Sequence, residues 1–88
     1  MKDFTTSNPS LADLNDGQSA IIEDINLNGI LRRRLFDLGL IPGTTVNCIR
    51  HSPAGNPAAY YIRGATIALR KEDTANIYIK SAVEEYHE

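Results

Sequence analysis

Leu27, Leu31, Leu35 and Leu38 recur at spacings of four, four and three, which places them on one face of an α-helix and on no single face of a strand. Asn28 stands where an N-cap belongs. Gly39 follows the last leucine where a left-handed C-cap glycine belongs, and Pro42 beyond it prevents continuation. The pattern predicts one amphipathic helix from about Gly29 to Leu38, and no other segment has a comparable period. The rest of the chain has to build its core from another kind of element.

That element is the short strand. Gln18 to Ile25, Thr44 to Arg50, Ala58 to Arg63, Thr66 to Arg70 and Ile77 to Lys80 are β-branched or alternating runs separated by turn formers. Pro42-Gly43 supplies a turn, Ser52 to Pro57 is too rich in turn formers to be strand, and Gly64-Ala65 predicts a tight reversal between two hairpin strands. Ser10 with Asp13 resembles a helix start, giving one turn over Leu11 to Leu14 that Asp16-Gly17 ends. Lys71 to Asn76 reads as a helical turn. Residues 1–9 read as an N-terminal arm and residues 81–88 as a solvated acidic tail, leaving 10–80 as the folded unit. About five strands with one early helix predict a mainly β fold, a small antiparallel barrel whose closure removes exposed edges.

With 88 residues there is room for one domain. A hydrophobic share of 42% and a charged share of 23% are those of a folded chain, which argues against wholesale disorder. Nine Lys plus Arg against eleven Asp plus Glu give a net charge of −2, opposite in sign to what a nucleic-acid-binding domain carries. No apolar run approaches the ~20 residues of a membrane span, and Met1 to Thr6 lack a signal peptide's apolar segment, so a cytoplasmic location is expected. The single cysteine, Cys48, leaves no internal disulfide available.

Catalytic patterns are missing. The chain contains neither G-x-x-x-x-G-K-[ST] nor G-x-G-x-x-G, which excludes a P-loop GTPase. Cys48 and His51 differ by an odd number along one strand, and strand parity predicts that they point to opposite sides of the sheet. On that reading they form neither a nucleophile pair nor a metal site, and Cys48 is a buried apolar residue. His87 among Glu84, Glu85 and Glu88 offers only adventitious ligation. No metal ligand and no cofactor are expected.

Surface candidates remain. Arg32, Arg33 and Arg34 fan around the helix at about 100° per residue, so Arg33 lies opposite the leucines with Asp37 one turn on. This reads first as a solvated face and second as a docking surface. Phe36 sits on the flank shared with Arg32, where it can anchor a partner or tuck against the barrel. Tyr60 and Tyr61 should face opposite sides, one of them beside the Pro53 to Pro57 loop as in an aromatic peptide groove. The run from Tyr60 to Arg63 is also a candidate for self-association through an exposed strand edge.

The segments LRRRLFDLGLIPG, VNCIRHSPAGNPAAYYIRG and TIALRKEDTANIYI resemble the FeoA family, over roughly Leu11 to Ile79. The distinctive pieces are Leu35, Leu38, Gly39, Leu40, Pro42 and Gly43, then Ser52 to Pro57, Gly64, and Ala68-Leu69-Arg70. The resemblance implies an SH3-like barrel without catalytic activity, a cytoplasmic accessory to the ferrous iron transporter FeoB that reaches the membrane only through that partner. Iron would be cargo. Leu35, Leu38, Gly39, Pro42, Gly43, Gly64 and Leu69 read as structural, while the strongest charged, aromatic and turn-rich surface candidates, Arg33, Phe36, Asp37, Pro53, Asn56 and Pro57, are expected to face the partner; Asn56 stands where many members of the family carry an aspartate. The same fold occurs in DtxR-type metal-dependent repressors, but 88 residues leave no room for their DNA-binding and dimerisation domains. The competing reading is a stand-alone module for proline-rich or extended peptides.

Overall fold

The computed structural model describes residues 9–83. In chain order a 3-10 turn, Leu11–Asp13, is followed by β1 (Ser19–Ile25), α1 (Gly29–Asp37), β2 (Thr45–His51), β3 (Ala58–Ile62), β4 (Ala65–Leu69), the short α2 (Lys71–Thr74) and β5 (Ile77–Val83). The five strands form one antiparallel sheet in the order β4-β3-β2-β1-β5. The predicted five-stranded mainly β architecture with one early helix is therefore correct. The ladder does not close into a ring: α2 joins β4 to β5, and the lead-in covers part of the outer side of β5. There Ser10 bridges Tyr78, and Ile79 N–H donates to the Pro9 carbonyl at 3.0 Å. The remainder of the predicted arm, and residues 84–88 of the predicted tail, lie outside the described residues.

Inward-facing side chains from every strand meet in one core, with Ile22, Val46, Cys48, Tyr60, Ile62, Ile77 and Ile79 at its centre. Leu11 and Leu14 are fully buried in it although their turn is only three residues long. Ser10 caps that turn as expected, and the structure completes a capping box: the Ser10 hydroxyl accepts from Ala12 N–H at 3.2 Å, and the Asp13 carboxylate accepts from Ser10 N–H at 2.8 Å. Tyr60 is buried and Tyr61 is exposed, as their alternation requires.

The helix ends as its sequence predicts. Leu38 is the C-cap and Gly39 takes φ +101°; Gly39 N–H donates to Phe36 O at 3.0 Å and Leu40 N–H to Leu35 O at 2.9 Å. Those two bonds define a Schellman motif, and its apolar pair, Leu35 and Leu40, is buried in the core. The leucine stripe is buried unevenly. Leu27 and Leu31 are half-buried against the core, while Leu38, at the end of the last turn, is 41% exposed. Asn28 occupies the N-cap position without a side-chain hydrogen bond to the helix.

Two sequence expectations about the sheet change. The reversal between β3 and β4 is Arg63-Gly64, because Ile62 already pairs with Ala65. Both loop residues have positive φ, +48° and +90°, the requirement of a two-residue type I′ hairpin, which Arg63 meets despite its side chain. Strand β3 lies between β2 and β4 and is hydrogen-bonded on both sides, so the run from Tyr60 to Arg63 is not an edge available for pairing with another chain. The sheet edges are β4 and β5.

Candidate functional site

Two surface regions carry the residues singled out above, and the fold keeps them on different elements. The first is the outer face of α1. Gly29, Ile30, Arg32, Arg33 and Phe36 line a shallow open groove. Arg33 projects into solvent there, opposite the buried Leu35, as the 3.6-residue period requires. It does not pair with Asp37; among the described residues the ion pairs are His51 with Asp16 and Arg70 with Glu72. Of the two roles foreseen for Phe36 the structure shows the packing one: it lies half-buried against the core, and the Arg32 guanidinium lies over its ring at 4.5 Å from the centroid. The most exposed apolar side chain of the face is Ile30, at 80%. Sequence reasoning passed over it because it stands in the first turn, beside the leucine period and not in it. The face is thus cationic and apolar together, which suits a partner offering carboxylates around an apolar anchor.

The second region is the Ser52 to Pro57 loop. Ser52 N–H donates to Pro57 O at 3.0 Å and Gly55 N–H to Ser52 O at 2.7 Å, so the loop is a closed turn structure. Asn56 is exposed, but its side chain is held by a hydrogen bond. Its carboxamide oxygen accepts from Lys71 N–H at 2.9 Å, tying the loop to the start of α2. Removing that acceptor with Asn56→Ala should cost about 1 kcal/mol of stability, as losing a helix-terminal acceptor does, measurable by denaturant unfolding. Pro53 and Pro57 line a separate, mostly apolar groove with Arg50, Ser52, Ala59 and Ala68. Arg33 and Phe36 therefore share one groove and Pro53 and Pro57 another.

The structure also brings together Cys48 and His51, which sequence parity set apart, and adds Asp16 to them. Strand β2 has a register shift against β3 between Cys48 and Arg50, so Ile49 and Arg50 are both exposed and the alternation restarts. After that bulge, His51 returns to the side of Cys48. The expectation that the two residues face opposite sides fails because parity counting assumes an unbroken ladder. Asp16 joins them from the turn before β1: its Oδ1 lies 2.6 Å from His51 Nδ1 and accepts from His51 N–H at 3.0 Å. The hydrogen bond from the His51 ring holds the Asp16 carboxyl below its ordinary pKa. Cys48 is fully buried, and burial, with the Asp16 carboxylate as a smaller cause, raises its thiol above the ordinary value. In native metal-free protein near pH 7.5 this thiol should react with an aromatic disulfide reagent on the order of 100-fold more slowly than in denaturant. Equal rates would mean that Cys48 is open to solvent.

None of these regions assembles a nucleophile, a base and an oxyanion donor around an open pocket. No helix among the described residues is long and apolar enough to cross a membrane.

Comparison with known proteins gives this architecture its context. A curated relative, the Fe(2+) transport protein A/Fe(2+) transporter FeoB fusion protein of Porphyromonas gingivalis, is 30% identical over 70 residues, which is 80% of this chain and 8% of the fusion. The chain thus corresponds to a small part of that protein. A solution structure of a FeoA-like protein from Clostridium acetobutylicum superimposes with a TM-score of 0.77 at 25% identity, covering 96% of this chain and 98% of that one. The zinc-complexed FeoA of Stenotrophomonas maltophilia, described as a prokaryotic SH3 domain protein, shares the fold with a TM-score of 0.72 at 24% identity, covering 88% and 98% of the two chains. The FeoA domain model matches residues 10–81, all of the sheet but the last two residues of β5 together with its inserted helix, and the chain belongs to the FeoA domain family.

Proposed function

We propose that this protein is a non-catalytic cytoplasmic accessory of ferrous iron uptake that docks on a FeoB-type transporter. The observation that carries the reading is the fusion relative, in which a homologous segment and a FeoB transporter form one polypeptide. Segments joined in one chain are held at high effective concentration, an arrangement that favours their acting on each other. Iron is the cargo in this reading and needs no ligand on the accessory.

The docking surface is the outer face of α1, with Arg33 and Phe36 at its centre, Asp37 at its edge and Ile30 as an added apolar anchor. The loop bearing Pro53, Asn56 and Pro57 provides a second contact. Isothermal titration of the full chain into the purified cytoplasmic part of its cognate FeoB, with and without a GTP analogue, tests this directly. Saturable binding is expected. Arg33→Glu and Phe36→Ala should each weaken it by about 10- to 100-fold, the range of interface hot spots, and Pro53→Ala by less. Arg33 and Pro53 are solvent-exposed, so their substitution leaves the core intact. Unchanged affinity in all three folded variants would remove this surface. Binding of proline-rich peptides, with none to the transporter, would favour the stand-alone module instead.

A further inference from the structure

We propose that Asp16, Cys48 and His51 form a binding site for one divalent first-row transition-metal cation, of the class of zinc or cobalt(II). The proposal is independent of the α1 docking face, whose groove none of the three residues lines; His51 also lines the groove of Pro53 and Pro57, and the cobalt titration below uses no transporter, so it reads the site separately from docking.

The geometry is the first argument. One ligand atom from each residue, a carboxylate oxygen, the Cys48 sulfur and an imidazole nitrogen, lies within 4.8 Å of the other two. Metal bonds of about 2.0 to 2.3 Å place neighbouring tetrahedral ligands about 3.3 to 3.8 Å apart, so side-chain rotation alone can close the set. The backbone already fixes the three positions. Gly17 N–H donates to Cys48 O at 2.7 Å, Cys48 N–H to Gln18 O at 2.8 Å, and His51 N–H to the Asp16 carboxylate at 3.0 Å. The turn bearing Asp16 is therefore laced to the strand bearing Cys48 and His51, and a ligand set held in place loses little entropy on binding. The β2 bulge contributes the last element by re-aiming His51 toward Cys48, a task to which bulges are suited.

The donor set is the second argument. Thiolate, imidazole and carboxylate together match borderline cations and disfavour magnesium and calcium, which take oxygen ligands. Three protein ligands leave a fourth position for water or another ligand. Access is from the Asp16 and His51 side, whose side chains are 60% and 32% exposed, with Cys48 as the floor. On binding, the Cys48 thiol gives its proton to solvent as the sulfur–metal bond forms. If Nδ1 is the ligating nitrogen, the neutral imidazole carries its proton on Nε2. One proton is then released per cation, and no electron is transferred.

Cobalt(II) titration of the reduced full-length chain under anaerobic conditions tests the site. The expected result is saturation at one equivalent, with intense visible d–d bands of tetrahedral cobalt and a near-ultraviolet sulfur-to-cobalt charge-transfer band, both displaced by zinc. Cys48→Ala and Cys48→Ser should each abolish the charge-transfer band, and circular dichroism identifies which variant keeps the fold. Asp16→Asn and His51→Ala should each weaken binding at least about tenfold, while His87→Ala should leave it unchanged. Absence of a charge-transfer band in the folded protein would overturn the proposal. So would affinity that survives both His51→Ala and Cys48→Ala, or that is lost with His87→Ala.

Discussion

Leu35→Ala should lower the thermal midpoint by roughly 15 °C, a larger loss than any surface substitution in this protein should produce. Leu35 is 2% exposed and is the one fully buried residue of α1, with Leu31 and Phe36 half-buried beside it. Truncating a leucine at such a site removes apolar contact and leaves a cavity that the surroundings only partly fill, about 3 kcal/mol in total. The loss includes the apolar pairing with Leu40, which is itself fully buried, while the backbone bond from Leu40 N–H to the carbonyl at position 35 is retained. A chain of this size is expected to have about 5 to 10 kcal/mol of stability, so the variant should remain folded at 25 °C with little reserve. Denaturant unfolding with an unchanged slope and a lower midpoint would confirm a loss of packing. A loss below about 1 kcal/mol would mean that the helix is not seated as described. Leu35→Ala should bind the transporter nearly normally at 25 °C and lose binding only where heat or denaturant populates its unfolded state, whereas Phe36→Ala and Arg33→Glu should lose affinity while keeping most of their stability.

Gly39→Ala should cost about 2 kcal/mol, for two reasons that act on the same atom. At φ +101° a β-carbon crowds its own backbone, a strain of about 1 to 2 kcal/mol. The same β-carbon would also fall on the Arg63 Cδ, because the aliphatic stem of Arg63 packs directly over Gly39. Arg63 is flexible and can move, so the clash adds less than the strain. Gly64→Ala supplies the control: its φ is +90° and no atom lies within 4 Å of the added carbon, so it should show strain alone. In an Arg63→Ala background, Gly39→Ala should recover the clash contribution and keep the strain. A double-mutant cycle of unfolding free energies reads that difference, and strict additivity would show that the Arg63 stem exerts no constraint on the helix end.

The contact between Gly39 and Arg63 illustrates what local reading misses. Gly39 was legible as a C-cap from the leucine period and the proline beyond it. That a hairpin turn 24 residues later rests on it was not, because Arg63 looked like the end of a strand and its positive φ is uncommon for a residue with a side chain. Among the surface candidates, the exposure of Arg33 followed from helical period alone. The stacking of Arg32 on Phe36 was foreshadowed by their i, i+4 spacing, but its geometry depends on how the helix sits on the sheet. Asn56 looked like a surface contact, yet its side chain is occupied by Lys71 N–H, a partner 15 residues away.

What the sequence by itself determined are the features set by short-range periodicity and turn chemistry. These are the amphipathic helix and its glycine stop, the five strands, the cap at Ser10, and the opposite faces of Tyr60 and Tyr61. Each depends on residues within a few positions of one another, where backbone geometry leaves few alternatives. Tertiary structure alone decided the strand order, the interior position of β3 and the convergence of Asp16, Cys48 and His51. The bulge after Cys48 reverses the parity that sequence counting predicts, and it exists only in the pairing of β2 with β3. Asp16 reaches His51 across 35 positions because Gly17, Gln18 and Cys48 exchange backbone hydrogen bonds. A ladder irregularity and a non-local contact are both properties of two segments meeting, and neither segment carries them by itself.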